Sequence, residues 1–86
     1  MDILNTNLAL VEVLNEWDPL GYGEGAYETE IADTISAVHY MNDKDKLAKK
    51  IQGIYEFSFE EIIPLGECQR MAQLLLNIKN EDSCSI

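Results

Sequence analysis

The stretch Leu65-Gly66-Glu67-Cys68-Gln69-Arg70-Met71-Ala72-Gln73-Leu74-Leu75-Leu76-Asn77-Ile78 decides the fold. Stepped at 100° per residue, Leu65, Cys68, Met71, Ala72, Leu74, Leu75, Leu76 and Ile78 fall on one wide arc, while Gln69, Arg70, Gln73 and Asn77 face away. One neighbouring helix does not cover an arc that broad. The stretch therefore predicts a central helix over about residues 65–79, contacted from several sides.

Upstream of Pro64, the run Phe57-Ser58-Phe59-Glu60-Glu61 reads as a turn. Ser58 and Glu61 stand three apart as a capping box, which would open one short helical turn through Ile63. Before it, residues 44–56 carry a narrower apolar stripe of Leu47, Ile51, Ile54 and Tyr55, with Lys46, Lys49, Lys50 and Glu56 on the outer face. Asn42-Asp43 breaks the preceding helix and offers this one an N-cap. A helix over about 26–41 places Tyr27, Ile31, Ile35, Val38 and Met41 on one face and Thr29, Asp33 and Ser36 on the other. The first helix, residues 3–17, gathers Ile3, Leu4, Leu8, Leu10, Val11, Leu14 and Trp17 on one arc, opposite Asn5, Glu12 and Glu16. Asn7 falls inside that arc, so it either caps the first turn or is a buried amide in need of a partner. The end of the chain, 80–86, reads as a frayed polar tail. The expected architecture is all-α: one domain over 1–79, a small bundle or irregular array of about four helices.

The chain has 86 residues and a formal net charge of −10. That length fits one small domain, which has little stability to lose and would gain from self-association. No apolar run is long enough to span a bilayer and no basic stretch leads an apolar one, so neither a membrane anchor nor a signal peptide is expected. An acidic surface is repelled by phosphate backbones, which argues against nucleic acid as a partner. The charge is unevenly placed: residues 1–43 hold nine acidic side chains and no Lys or Arg, while residues 44–86 hold seven acidic and six basic. Lys44, Lys46, Lys49 and Lys50 form a local basic segment, and the plain reading is a solvated face with attraction between helices.

The most informative local feature is Trp17-Asp18-Pro19-Leu20-Gly21-Tyr22. Pro19 stops a helix, Asp18 can bond back to the backbone, and Gly21 can take a positive φ. The loop reads in two ways: a helix stop whose Trp17 plugs the end of the bundle, or a recognition loop anchored by Trp17 and Tyr22. Gly21-x-Gly23-x-Gly25 lacks the strand, spacing and lysine of a phosphate cradle and adjoins Glu24 and Glu28. His39 is the single histidine and has no evident catalytic partner; Cys68 lies in the middle of the widest apolar arc, as a buried thiol would. Cys68 and Cys84 make no metal or redox spacing and are expected to be free thiols in a reducing compartment, hence a cytoplasmic protein. No metal-site motif is present, and no cofactor, metal or small-molecule ligand is expected.

Asn15-Glu16-Trp17-Asp18-Pro19-Leu20-Gly21, followed by the helix start Tyr27-x-x-x-Ile31, resembles the YugE-like family of small uncharacterised proteins from Bacillus and its relatives. Pro64-Leu65 to Cys68 and Ala72-x-x-Leu75-Leu76 fit the same family, so the resemblance runs from about residue 5 to 79. It implies an all-helical fold and a bacterial cytoplasmic setting, and it brings no activity.

The expected function is therefore a small non-enzymatic adaptor. It would bind a protein partner, or a second copy, through the loop of Trp17, Asp18, Pro19, Leu20, Gly21 and Tyr22 or through the acidic first half. The alternative is an inhibitory or immunity-type protein whose acidic surface occludes a basic enzyme. The split charge also raises head-to-tail contact between acidic and lysine-rich faces of two copies, which salt would weaken.

Overall fold

In the computed structural model, which describes residues 3–23 and 25–84, the chain forms α1 (Ile3–Trp17), α2 (Glu28–Tyr40), α3 (Lys44–Phe59) and α4 (Leu65–Cys84). The all-α array of four helices is as the periodicity predicts. Every other helix packs on α4, most extensively α3, whereas α1 packs along α2 and α4 and meets α3 at its C-terminal end, where Trp17 contacts Tyr55. The wide arc of α4 is thus a real three-sided contact surface. Leu10 and Leu14 of α1, Ile31, Ala37 and Val38 of α2, Leu47, Ile51 and Tyr55 of α3, and Cys68, Met71, Ala72, Leu75 and Leu76 of α4 form one continuous core.

Three features differ from the sequence reading. First, α3 does not stop at 56 but runs on to Phe59, and Ser58 lies exposed in its last turn. The capping box of Ser58 and Glu61 and the short helical turn through Ile63 do not form. The reason is packing: Tyr55 and Phe59, one turn apart, share an inward face only if the helix continues. Glu60 then ends α3 in the left-handed region (φ 56°), its N–H donating to the Glu56 carbonyl at 2.8 Å. Second, α4 extends through residues 80–84, where a frayed tail was expected; no proline or glycine interrupts the segment. Residues 85–86 lie outside the described residues, as does the Cys84 side chain. Third, the buried face of α2 is rotated. Glu30 and Thr34 are buried while Ile35 and Met41 are only half-buried, because α2 touches all three other helices rather than one. The Thr34 hydroxyl is satisfied by donating to its own Glu30 carbonyl at 2.7 Å.

The connections are short and held by named groups. Asp43 caps α3 as expected, its Oδ1 accepting from the N–H groups of Asp45 (2.9 Å) and Lys46 (3.1 Å). Gln52 of α3 donates to the Ile63 carbonyl at 2.7 Å and so pins the link into α4, while the Pro64 carbonyl accepts from the N–H of Glu67 at 3.0 Å. Asn7 finds its partner in His39, Asn7 Oδ1 lying 2.7 Å from Nε2, which ties α1 to α2.

Lys79 of α4 reaches across to the end of α2. Its ammonium donates to the carbonyls of Val38 (2.8 Å), His39 (3.4 Å) and Met41 (3.4 Å) and to Asn42 Oδ1 (2.9 Å). A cation here meets both the orphan carbonyls of the last turn and the negative end of the helix dipole. Replacing Lys79 with methionine keeps the aliphatic stem and removes the charge. It should lower the unfolding free energy by about 1–2 kcal/mol, read as a lower urea midpoint at unchanged slope.

Candidate functional site

The loop after α1 is built around one hydroxyl. Tyr27, fully buried at the N-terminal edge of α2, donates to Asp18 Oδ1 at 2.5 Å and accepts from the N–H groups of Leu20 (3.2 Å) and Tyr22 (3.3 Å). Asp18 also accepts from the Gly23 N–H at 3.2 Å, and its carbonyl closes a turn with the Gly21 N–H at 3.3 Å. The chain can wrap so tightly because Gly21 (φ 78°) and Gly23 (φ 93°) take positive φ without penalty. Asp18 itself is held at φ 37°, a conformation stabilised here by what its carboxylate accepts.

Beneath the loop lies a cluster of rings. Trp17 meets Tyr55 edge-on (centroids 5.5 Å apart, 72°), and its Nε1 donates to Glu67 Oε1 at 3.4 Å. Tyr27 contacts Tyr55 (5.5 Å) and Phe59 (5.4 Å), and Tyr22 stacks on Phe59 at 5.3 Å. The Tyr22 hydroxyl donates to Glu61, so the loop is tied to the α3–α4 link as well as to α2.

The two rings of the loop are placed differently. Trp17 is half-buried against Tyr55 and plugs the end of the bundle, whereas Tyr22 remains 52 % exposed. Leu20 and Pro19 are half-buried, and Gly21 is exposed. The periodicity put Tyr27 on an apolar face and did not reveal that its hydroxyl organises the loop. The available signal was chemical: a tyrosine on a buried face needs a hydrogen-bond partner, and the glycine-rich segment nearby supplies free N–H groups. Phe59 and Glu61 were missed because the turn expected at 57–61 placed neither beside Tyr22.

The Tyr27 hydroxyl is the largest influence on Asp18 and holds its carboxyl below the usual value of 3.8; the amides of Gly23, Tyr22 and Gly21 add to this, against partial burial. A depressed folded value means that this contribution to stability is complete above the unfolded value and is lost as pH falls through the folded one. The Asp18 carboxyl carbon should titrate below 3.8 by NMR, and acidification through that point should release the Gly23 amide to exchange. An Asp18→Asn variant should lack that acid step.

Tyr55 is the opposite case: fully buried, with a hydroxyl that has no hydrogen-bond partner. Burial first, and the nearby Glu30 carboxylate second, push its ionisation far up. Removing an orphan hydroxyl costs nothing in bonding, so Tyr55→Phe should raise stability by about 1 kcal/mol in urea denaturation.

The other chemical candidates are separated. Cys68 is buried in the core, its thiol pushed up to about 11 mainly by that burial, while His39 is exposed and engaged with Asn7. Among the described residues no group of three or more His, Cys, Asp or Glu could hold a metal ion. No described helix is long and apolar enough to cross a membrane.

Away from the ring cluster, α1 and α2 leave an open groove of about 460 Å³ between them, lined by Val11, Ile31, Ala32 and Ile35. Nothing in the sequence pattern announced it, because it arises from how two helices cross.

Residues 9–85 match the family described as "Domain of unknown function (DUF1871)". Among curated proteins, the uncharacterised protein YugE of Bacillus subtilis (strain 168) is 47 % identical over 76 residues, 88 % of each chain. A crystal structure of a Bacillus stearothermophilus protein superposes with a TM-score of 0.88 at 41 % identity, covering 91 % of this chain and 96 % of that one. The WDPLG turn, the Tyr27 helix start and the four-helix array thus sit on a shared scaffold, and the chain belongs to the DUF1871 family, as a relative of YugE.

Proposed function

We propose that this is a non-enzymatic protein-interaction domain, and that Tyr22 is its principal anchor. One observation carries the reading: Tyr22 is half-exposed yet fixed, stacked on Phe59 and bonded to Glu61, next to Ile62, which is 67 % exposed. A large side chain already held in place loses little conformational freedom on binding, which is why rigid aromatics dominate interfaces. Trp17, Asp18, Pro19, Leu20 and Gly21 serve this surface as its support. A free, buried Cys68 suits a reducing, cytoplasmic setting.

The test is retention of partners from a cell extract by the immobilised chain, compared with a Tyr22→Ala/Ile62→Ala variant of matched helicity. Loss of a specific band in the variant is the expected result. Identical retention, or none by either chain, overturns the proposal. The acidic first half favours a second reading, an inhibitor that occludes a basic enzyme. Its mark would be a retained partner that is itself an enzyme and loses activity on binding.

A further inference from the structure

We infer that the open groove between α1 and α2 receives a cationic amphipathic helix of a partner protein. This rests on the reading of the domain as a protein-interaction module and names the chemistry of what a second face of it would bind.

The groove has the dimensions of a helix seat. Its α1 wall is set by positions 7, 11 and 15 and its α2 wall by positions 28, 31, 32 and 35, so it runs about two turns, or about 12 Å, along each helix. The floor is aliphatic, and the ends are polar, with Asn15 and Glu28 at one and Asn7 at the other. That is the pattern of a helix-in-groove site, read by apolar anchors spaced i, i+3 or i+4, and i+7. Its lining comes from α1 and α2, with no described residue of α3 or α4 contributing.

The rim states the sign of the partner. Glu28 is exposed and lines the groove mouth, while Glu12 and Glu16 are exposed on the neighbouring, solvent-facing row of α1. No Lys or Arg occurs anywhere in residues 1–43 to oppose them. An apolar floor set in a half of the chain with nine acidic side chains and no Lys or Arg attracts a segment with leucine-like anchors and flanking Lys or Arg. A second copy is a poorer occupant: each copy carries −10, so two copies repel overall, and two of the four clustered lysines, Lys49 and Lys50, border a hollow shared with Asp33 of their own chain.

The experiment uses the full chain, labelled with nitrogen-15, and a capped 14-residue helical peptide with leucines at i, i+3, i+4 and i+7 and lysines elsewhere. The expected result is amide shifts concentrated at 7–15 and 28–35, with affinity falling as salt rises. Ala32→Gln narrows the groove at an exposed site without changing charge, and should weaken binding about tenfold. A peptide of the same composition with its leucines scattered should bind about tenfold less tightly. Equal affinity for the scattered peptide, shifts spread over the acidic surface without the groove floor, shifts centred on 17–22, or a peptide-free dimer that buries the groove would each overturn the inference. If the peptide fails while the Tyr22 and Ile62 surface still retains a partner, the docking site falls and the interaction reading stands; if both fail, both fall.

Discussion

Truncating Tyr27 to alanine should lower the unfolding free energy by about 4 kcal/mol, among the largest single-residue effects in the molecule. Two contributions add. The ring packs against Tyr22, Tyr55 and Phe59, so its removal opens a cavity at the junction of α2, α3 and the loop. The hydroxyl serves Asp18 and the amides of Leu20 and Tyr22, so its removal strips the loop of its organising centre. A domain of this length has a total stability of roughly 4–13 kcal/mol, so the alanine variant should be close to unfolding at 37 °C. Tyr27→Phe separates the two contributions. It keeps the ring and should cost about 2 kcal/mol, because water reaches the loop and partly replaces the lost bonds. The checks are urea denaturation followed by circular dichroism and the near-ultraviolet signal of Trp17. If Tyr27→Phe is as stable as the parent while Tyr55→Phe is destabilised, the assignment of one hydroxyl as organiser and the other as orphan is wrong.

This contrast shows where sequence reasoning reaches and where it stops. The boundaries of α1 and the start of α3 were legible because Pro19 and Asp43 act locally: a proline or a capping carboxylate decides the backbone within a few residues. The end of α3 was not. Phe57-Ser58-Phe59-Glu60-Glu61 contains a valid capping pattern, and what overrides it is the contact of Phe59 with Tyr22 and Tyr27, residues more than thirty positions away. The same limit applies at Asp18. Its helix-stopping role could be read from Asp-Pro, but its partner Tyr27 lies nine positions on, at a separation that no helical or turn period marks. Burial of Thr34 and Glu30 was hidden because polarity argues for the surface, and only the count of neighbouring helices moves that face inward. Sites made by a single segment were visible; sites made by two were not.

The second large effect tests the residue pattern from which the fold was read. Leu74, Leu75 and Leu76 are adjacent and chemically identical, yet Leu75 is fully buried and Leu74 is 38 % exposed. Successive helical residues are 100° apart, so a wide arc still has a centre and an edge. Leu75 stands one turn after Met71 and two after Cys68, the line of α4 that is buried throughout. Leu75→Ala should therefore cost about 3 kcal/mol, the lost transfer energy plus an unfilled cavity, whereas Leu74→Ala should cost less than about 1 kcal/mol. In thermal melts the first should fall by roughly 12–24 °C and the second by only a few degrees. The comparison is sharp because helix propensity, hydrophobicity and volume removed are the same at both positions, leaving burial as the only difference. Equal losses at 74 and 75 would mean that the α4 arc is covered evenly, as it would be if a partner or second copy packed over Leu74 in solution.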